Sequence, residues 1–537
     1  MNLYYGGRMI NMGKSLRNRY FADRDVRVFL FTLIAAILCN IQYVCNELSY
    51  ADVNTFSEHR ISNYWELSLG RWVLPYIDHV RWGIAGSVIT SIMASFWLAI
   101  SAVLLIKIFS LRSKISAIFV CLLLAVAPFF YDILGSYHCS AEYMLGFSLS
   151  ILCAYITDRF KNIYGRVLFG GIALGISLGI YQAYLGVTCG LCIVILLQSI
   201  LESQTTFYEV CQKIFVDIAM GIWGIIFYFI GLFINLRLWN WHMESYSGAD
   251  QIGMSTIFGM PGLMKDALHS FYKYFFTDDI VNNSAYHREQ WNIIFFVIIA
   301  ILSVVLWIDK NGNIKKRIKI ACISVILILL LPFALGVIEL IIPNRDINQI
   351  MSAPYIVVYI FAIIIFDIFS RNKSSKRLLN VALGLIMAIT IQSYWVMDNA
   401  SYMATKMTVN KQKFIAMNVL NTLSEMTGYH EGAEVLFVGT ASNNISNNTS
   451  DIYSMASGTT ASSGQIWSTP GLVNNNWYHF IRYQLGVELN LNQDTDMYMA
   501  IVDTPEFTSM PTYPEKGYID MIDGIWVVKL ESNPDKE

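Results

Sequence analysis

Three stretches gather the side chains that could do chemistry. SYADVNTFSEHRISNYWELSLGRW (residues 49–72) follows the first long apolar run and holds Asp52, Glu58, Glu66 and Arg71, with Tyr64, Trp65 and Trp72 among them. YDILGSYHCSAEYM (131–144) offers Asp132, His138 and Glu142, and IELIIPNRDINQIMSAPYI (338–356) sets Arg345 beside Asp346. A carboxylate at a membrane surface can take the proton of an attacking hydroxyl. Asp52, Glu66 and Asp132 are the candidates for that work. Asp52 equally suits the cap of a short helix, because D-V-N-T is a plausible helix start. A guanidinium fork fits phosphate oxygens, which singles out Arg345 and Arg71; pairing with Asp346 is the structural alternative for Arg345. Trp65, Leu67, Leu69, Trp72 and Leu74 have the spacing of an amphipathic helix at the interface, a depth that Trp favours.

The elements that must carry these residues are membrane helices. Of 537 residues, 55% are hydrophobic and only 14% charged, with a mean hydropathy of +0.48; a soluble domain carries about 25% charged residues. A net charge of −2 implies no nucleic-acid partner. The nine Cys are scattered, and Cys189 and Cys192 read as small apolar helix residues. The first apolar run is too long for a cleaved signal and stays in the membrane. About eleven runs have the roughly 20-residue length a crossing needs: 27–46, 84–108, 115–131, 141–157, 166–182, 184–201, 214–236, 292–308, 320–342, 353–370 and 378–397. Little more than YQAY (181–184) separates the fifth from the sixth, so that pair is either a tight hairpin or one broken helix, and Tyr181, Gln182 and Tyr184 either line a cavity or close the turn.

The basic clusters NIKKRIK and RNKSSKR, with Lys107, Arg112, Lys114, Arg159 and Lys161, all fall on the side of the N-terminus. That side is therefore expected to be cytoplasmic, and the three chemistry-bearing loops lie outside. After an odd number of spans, residues 398–537 are outside too. The expected architecture is an all-α polytopic bundle of about eleven helices over residues 1–397, followed by a soluble extracytoplasmic α/β domain. In that tail, 411–426 and 476–489 read as helices, and 433–440, 497–503 and 524–530 as strands. LFVGT lacks the G-x-G-x-x-G turn of a nucleotide site. The bundle shows no matching halves of the kind many transporters have.

Three short motifs, in order and on one side, give the chain a resemblance. They are Asp52 with S-L-G-R-W (68–72), G-I-S-L-G-I-Y-Q-A-Y (175–184), and P-N-R-D (343–346) ahead of a span. Together they resemble the GtrII-type bacterial membrane glucosyltransferases of the broad GT-C class, and the order of spans fits over roughly 27–397. The resemblance implies a glycosyltransferase of the bacterial inner membrane. It would move a hexose, glucose above all, from undecaprenyl phosphate to an envelope polysaccharide such as lipid-linked O-antigen of lipopolysaccharide. Asp52 would act as base in an inverting displacement; Arg345 and Arg71 would meet the lipid phosphate, with Trp72, Tyr181, Gln182 and Asp346 around the substrate. The expected partners are the donor, the polysaccharide acceptor, the bilayer, a donor-synthesising enzyme and a flippase. The resemblance fixes no cofactor: a divalent cation near Asp52 and Asp132 is one option, and some enzymes of the class work without one. Such enzymes often carry two adjacent acids in the first loop. Here Val53 follows Asp52, so Glu58 and Glu66 stand beside it as bases. A lipid-linked oligosaccharide flippase or a polysaccharide polymerase is the alternative reading.

Overall fold

The computed structural model describes residues 23–46, 48, 64–202, 206–244, 259–283, 287–310, 314–342, 347–371, 377–440, 452, 455–456, 466 and 469–531. The chain begins with α1 (23–39) and continues through α2 (Ile41–Cys45), α3 (Tyr64–Ser68), α4 (Leu74–Val80), α5 (Ser87–Ile108), α6 (Lys114–Ala125), α7 (Pro128–Gly135), α8 (Ser140–Arg159) and α9 (Ile163–Ile180). After a 3-10 turn at Gln182–Tyr184 come α10 (Leu185–Glu202), α11 (Phe207–Leu238), α12 (Met260–Phe276), α13 (Arg288–Lys310), α14 (Ile314–Leu335) and α15 (Val337–Ile341). A 3-10 segment, Ile350–Tyr355, leads into α16 (Ile356–Arg371), and α17 (Arg377–Glu425) leaves the bundle. The tail follows as β1 (Glu434–Val438), α18 (Pro470–Leu485), β2 (Asn490–Leu491), α19 (Thr495–Val502), α20 (Pro505–Ser509), β3 (Ile519–Ile522) and β4 (Ile525–Lys529).

Among the described residues, nine helical stretches are long and apolar enough to cross a membrane, and Ile320–Leu335 is a shorter apolar helix. The protein is a membrane protein built as a helical bundle. Local signals set several helix starts. Ser113 Oγ accepts the Ile115 N–H, and Asn162 Oδ1 accepts the Tyr164 N–H. Thr206 and Glu209 form a reciprocal capping box at α11, which satisfies two otherwise orphaned donors. Pro128 opens α7, where its missing N–H costs nothing. Helix α16 is buried on every side through Phe369. An all-round apolar helix belongs in such a central place.

Hydrogen bonds between helices give α9 and α10 their directions. At one end, Lys107 pairs with Asp25 at 2.8 Å, and Arg159 donates to the Ile108 carbonyl at 2.6 Å. There the buried Asp367 accepts the Ser113 N–H and the Arg371 Nε, both at 2.7 Å. This basic end holds the loop cations of the N-terminal side. Ser177 of α9 donates to Gly146 O, whereas Thr188 of α10 donates to Ser150 O and Gln198 to Phe109 O at the basic end. Helix α9 thus rises away from the basic end and α10 returns to it. The Tyr181–Tyr184 stretch closes a helical hairpin, which decides between the two expectations.

Helix α17 has 49 residues, about 73 Å at 1.5 Å per residue. That exceeds a bilayer, and the helix runs unbroken through residue 397 into the tail. The tail sheet has the order β2-β1-β4-β3; β1 is parallel to β2 and β4, and β3 is antiparallel to β4. Its core centres on Trp477 of α18 stacked on Phe437 of β1. One expectation is corrected. MYMAIVD (497–503) is not a strand: residues 495–502 form helix α19, which buries Tyr498 and Ile501. Those positions are three apart, one helical face, and Asp494 caps the helix by accepting the Asp496 N–H at 2.9 Å. The strand beside β1 is instead the two-residue β2.

Candidate active site

Away from the basic end, two of the three motif stretches meet. Helix α3 ends in a turn through Gly70, whose φ is +83°. A Cβ there would stand 2.2 Å from the Tyr228 hydroxyl, so both backbone and space call for glycine. Gln182 Nε2 reaches over the turn, donating to Leu69 O at 2.7 Å and to Tyr228 Oη at 3.2 Å. Next along the chain, the Val73 N–H donates to Gly179 O at 2.9 Å. The Trp72 indole wedges between α9 and α11, where a Cβ on Gly179 or Gly231 would come within 2.8 Å or 2.3 Å of it. S-L-G-R-W and G-I-S-L-G-I-Y-Q-A-Y are therefore one packed unit.

That packing aims Arg71. Its Nη1 donates to the Tyr143 hydroxyl at 3.0 Å, and its guanidinium carbon lies 5.2 Å from the Tyr181 ring centroid. Tyr143 and Tyr181 stack at 4.7 Å and 14°. The cation thus sits against two tyrosine faces, a cation–π arrangement that holds the guanidinium plane. Arg71, Tyr181 and Gln182 line a cavity of about 680 Å³. Tyr228 also lines it, and nearly all other lining side chains are apolar, including Leu232 and Phe233 of α11 and Ile338 and Ile341 of α15. Phe229 and Phe233 are exposed on the outer face of α11, so the cavity gives onto the lipid side. A chamber with one cationic head and apolar walls suits an anionic amphiphile.

A second polar group lies alongside. Arg81 is held between Asp78 Oδ1 at 2.7 Å and Glu142 Oε1 at 2.8 Å, and donates to His138 O at 2.6 Å. Burial works against its charge, but the two carboxylates outweigh that and hold its pKa above the ordinary value. Glu142 begins α8 and serves as Arg81's ion-pair partner one residue before Tyr143.

Of the residues singled out in the sequence, Arg71, Tyr181 and Gln182 come together in the cavity. Trp72 packs beside it as a wedge. Glu66 is buried on α3 and its carbonyl accepts the Arg71 N–H at 2.9 Å. Asp132 is buried in α7, next to Tyr131, whose hydroxyl accepts from Gln349 at 2.7 Å. Neither carboxylate is among the residues lining the cavity. Asp52, Glu58, Arg345 and Asp346 lie outside the described residues. No group of three or more His, Cys, Asp or Glu suited to a metal occurs among the described residues. Sequence reasoning missed Tyr143, Tyr228 and Gly70. Tyr228 had a signal: it shares a stripe of α11 with Met220, Gly224, Leu232 and Asn235, all buried, and a tyrosine there needs a polar partner.

Residues 41–366 match the family model described as Glucosyl transferase GtrII. The chain belongs to the GtrII glucosyl transferase family. The match spans both packed motif stretches and every wall of the Arg71 cavity, and ends before α17 and the tail. This GtrII protein is accordingly a membrane glycosyltransferase. No curated protein and no solved structure matches it.

Proposed function

We propose that this GtrII protein moves glucose from undecaprenyl phosphate to a hydroxyl of an envelope polysaccharide, such as lipid-linked O-antigen, at the outer face of the bacterial inner membrane. The observation that carries the reading is Arg71, held on two tyrosines as the cationic head of an apolar cavity open toward lipid. A phosphodiester on a hydrocarbon chain has that same division of charge and apolar bulk.

The reaction is an inverting displacement of GT-C type. A carboxylate takes the acceptor O–H proton, and the oxygen attacks the anomeric carbon. The C1–O bond to phosphate breaks and the lipid phosphate leaves with its electron pair. Arg71, joined by Arg345, meets the charge that develops on that leaving group; placed donors of this sort give the largest share of transition-state stabilisation. Asp52 is the first choice as base, with Glu66 and Asp132 behind it. The tail domain would hold the acceptor glycan, while a donor-synthesising enzyme and a flippase supply the lipid-linked sugar.

The test uses purified protein with undecaprenyl-phosphate [14C]glucose and lipid-linked polysaccharide. The expected product is a glucosylated acceptor with the anomeric configuration reversed. Asp52→Asn should lower turnover roughly 10²- to 10⁴-fold, the contribution of a positioned general base. Full turnover by Asp52→Asn, Glu58→Gln, Glu66→Gln and Asp132→Asn alike would remove the carboxylate base from the account.

A further inference from the structure

Below the Arg71 cavity lies a second, larger one of about 900 Å³. Its walls are α11, from Phe207 to Gly221, and α14, from Cys322 to Leu330; its floor is α10 with Leu174 of α9. Leu185 lines both cavities. On α11, Gly221 in the lower cavity and Ile225 in the upper one are a single helical turn apart. On the facing wall, the lining passes from Leu330 of α14 to Ile338 of α15. The two cavities therefore continue one another as a trough between α11 and the α14–α15 pair. Along α11 the trough runs from Leu236 to Phe207, about 44 Å at 1.5 Å per residue, which exceeds the roughly 30 Å hydrocarbon thickness.

Three features bear on what fills it. First, the lower cavity is apolar apart from Asp217, Thr188 and several thiols, so its occupant is hydrocarbon. Second, the trough joins the cavity headed by Arg71, so one molecule with an anionic head can occupy both. Third, Gly221 opens a gap in the wall: a Cβ built there meets no atom within 4 Å. Its neighbour Gly224 packs closely, with a Cβ only 2.7 Å from Leu174. The space beside Gly221 belongs to the trough rather than to a helix contact.

We infer that this trough seats the polyprenyl chain of the donor, so that the enzyme selects donors by chain length and not by head group alone. The inference rests on the proposed donor reading. Bilayer hydrocarbon is as apolar as the trough, so the gain comes from packing a long chain against fixed walls, as in helix association in lipid.

The experiment compares glucosyl phosphates on C10 and C55 isoprenoid chains, with wild-type protein and with Gly221→Leu and Ile326→Trp, which fill the trough from opposite walls. Folding is checked by monodisperse elution and an unchanged melting temperature. Wild type should show a KM for the C55 donor at least about fivefold below that for C10, a preference of 1 kcal/mol or so. Both variants should raise the C55 KM toward the C10 value and leave kcat and the C10 KM unchanged. Wild type without a length preference would overturn the inference. So would variants that keep the C55 KM, which would leave the trough holding ordinary bilayer lipid only, and so would an equal loss on both donors. In each of those cases transfer itself persists. Absence of transfer from either donor in wild type would instead bring down the donor reading.

Discussion

Gly70 fixes where Arg71 points. With φ at +83° and the Tyr228 hydroxyl 2.2 Å from any added Cβ, alanine at 70 brings about 1 kcal/mol of backbone strain and a clash. Gly70→Ala is expected to cut transfer by about tenfold or more, 1.4 kcal/mol per decade. Adding Tyr228→Phe removes the clashing oxygen and should restore part of that loss, since the next atom is Gln182 Nε2 at 2.8 Å, the far end of a flexible side chain; a double variant no better than the single would show that the clash is not the cause. Tyr143→Phe keeps the ring stack and loses one hydrogen bond to Arg71. It should raise the donor KM only a few-fold, in line with about 1 kcal/mol for such a bond. At this scale Arg71, Tyr181 and Gln182 were legible because their types and motif positions are unusual in a membrane chain. Tyr143 was not. Nothing in its neighbours shows that folding stacks it on Tyr181, 38 positions away.

The helices were the most readable elements, because twenty apolar residues in a row have few other fates. Their directions were less so: YQAY carries no charge, and only the bonds from Ser177 and Thr188 reveal the turn. The 497–503 segment misled because a short apolar run fits a strand or a helix face, and the Asp494 cap decided it. The close glycine contacts at Gly179 and Gly231 were also invisible, since a glycine in an apolar run does not announce its neighbour. They yield a prediction. Gly231→Leu should displace the Trp72 indole and with it the Arg71 turn, abolishing transfer while the protein still inserts in the membrane. Transfer at the wild-type rate would show that the wedge is dispensable. Helix α17 is the matching long-range element. Proline at Lys406, an exposed position, breaks a helix at a cost of about 3 kcal/mol. It should expose a new protease site between bundle and tail; an unchanged digestion pattern would mean that the continuous helix does not fix the two parts.

Across the whole molecule, charge sorts the two ends. The Asp25–Lys107 pair, Arg159, and the Asp367–Arg371–Glu202 group share one end, whereas Arg71, Arg81 and Glu142 share the other. The sequence already showed Lys107, Arg159 and Arg371 as loop cations, and the orientation proposed on the positive-inside rule sets that end in the cytoplasm. Alkaline phosphatase fused after Glu537 should therefore be active, and a fluorescent protein fused there dark; the opposite pair of results would invert the topology. The family match stops at residue 366 and so covers neither α17 nor the tail. The central claim concerns the other end, that Arg71 holds the donor phosphate. Its most direct test is the donor dependence of Arg71→Gln and Arg71→Lys in reconstituted membranes, with folding verified. Glutamine should raise the KM for undecaprenyl-phosphate glucose and lower kcat, together about 10²- to 10³-fold, with lysine recovering part of the loss through its charge alone. An Arg71→Gln enzyme with wild-type donor KM and kcat would contradict it.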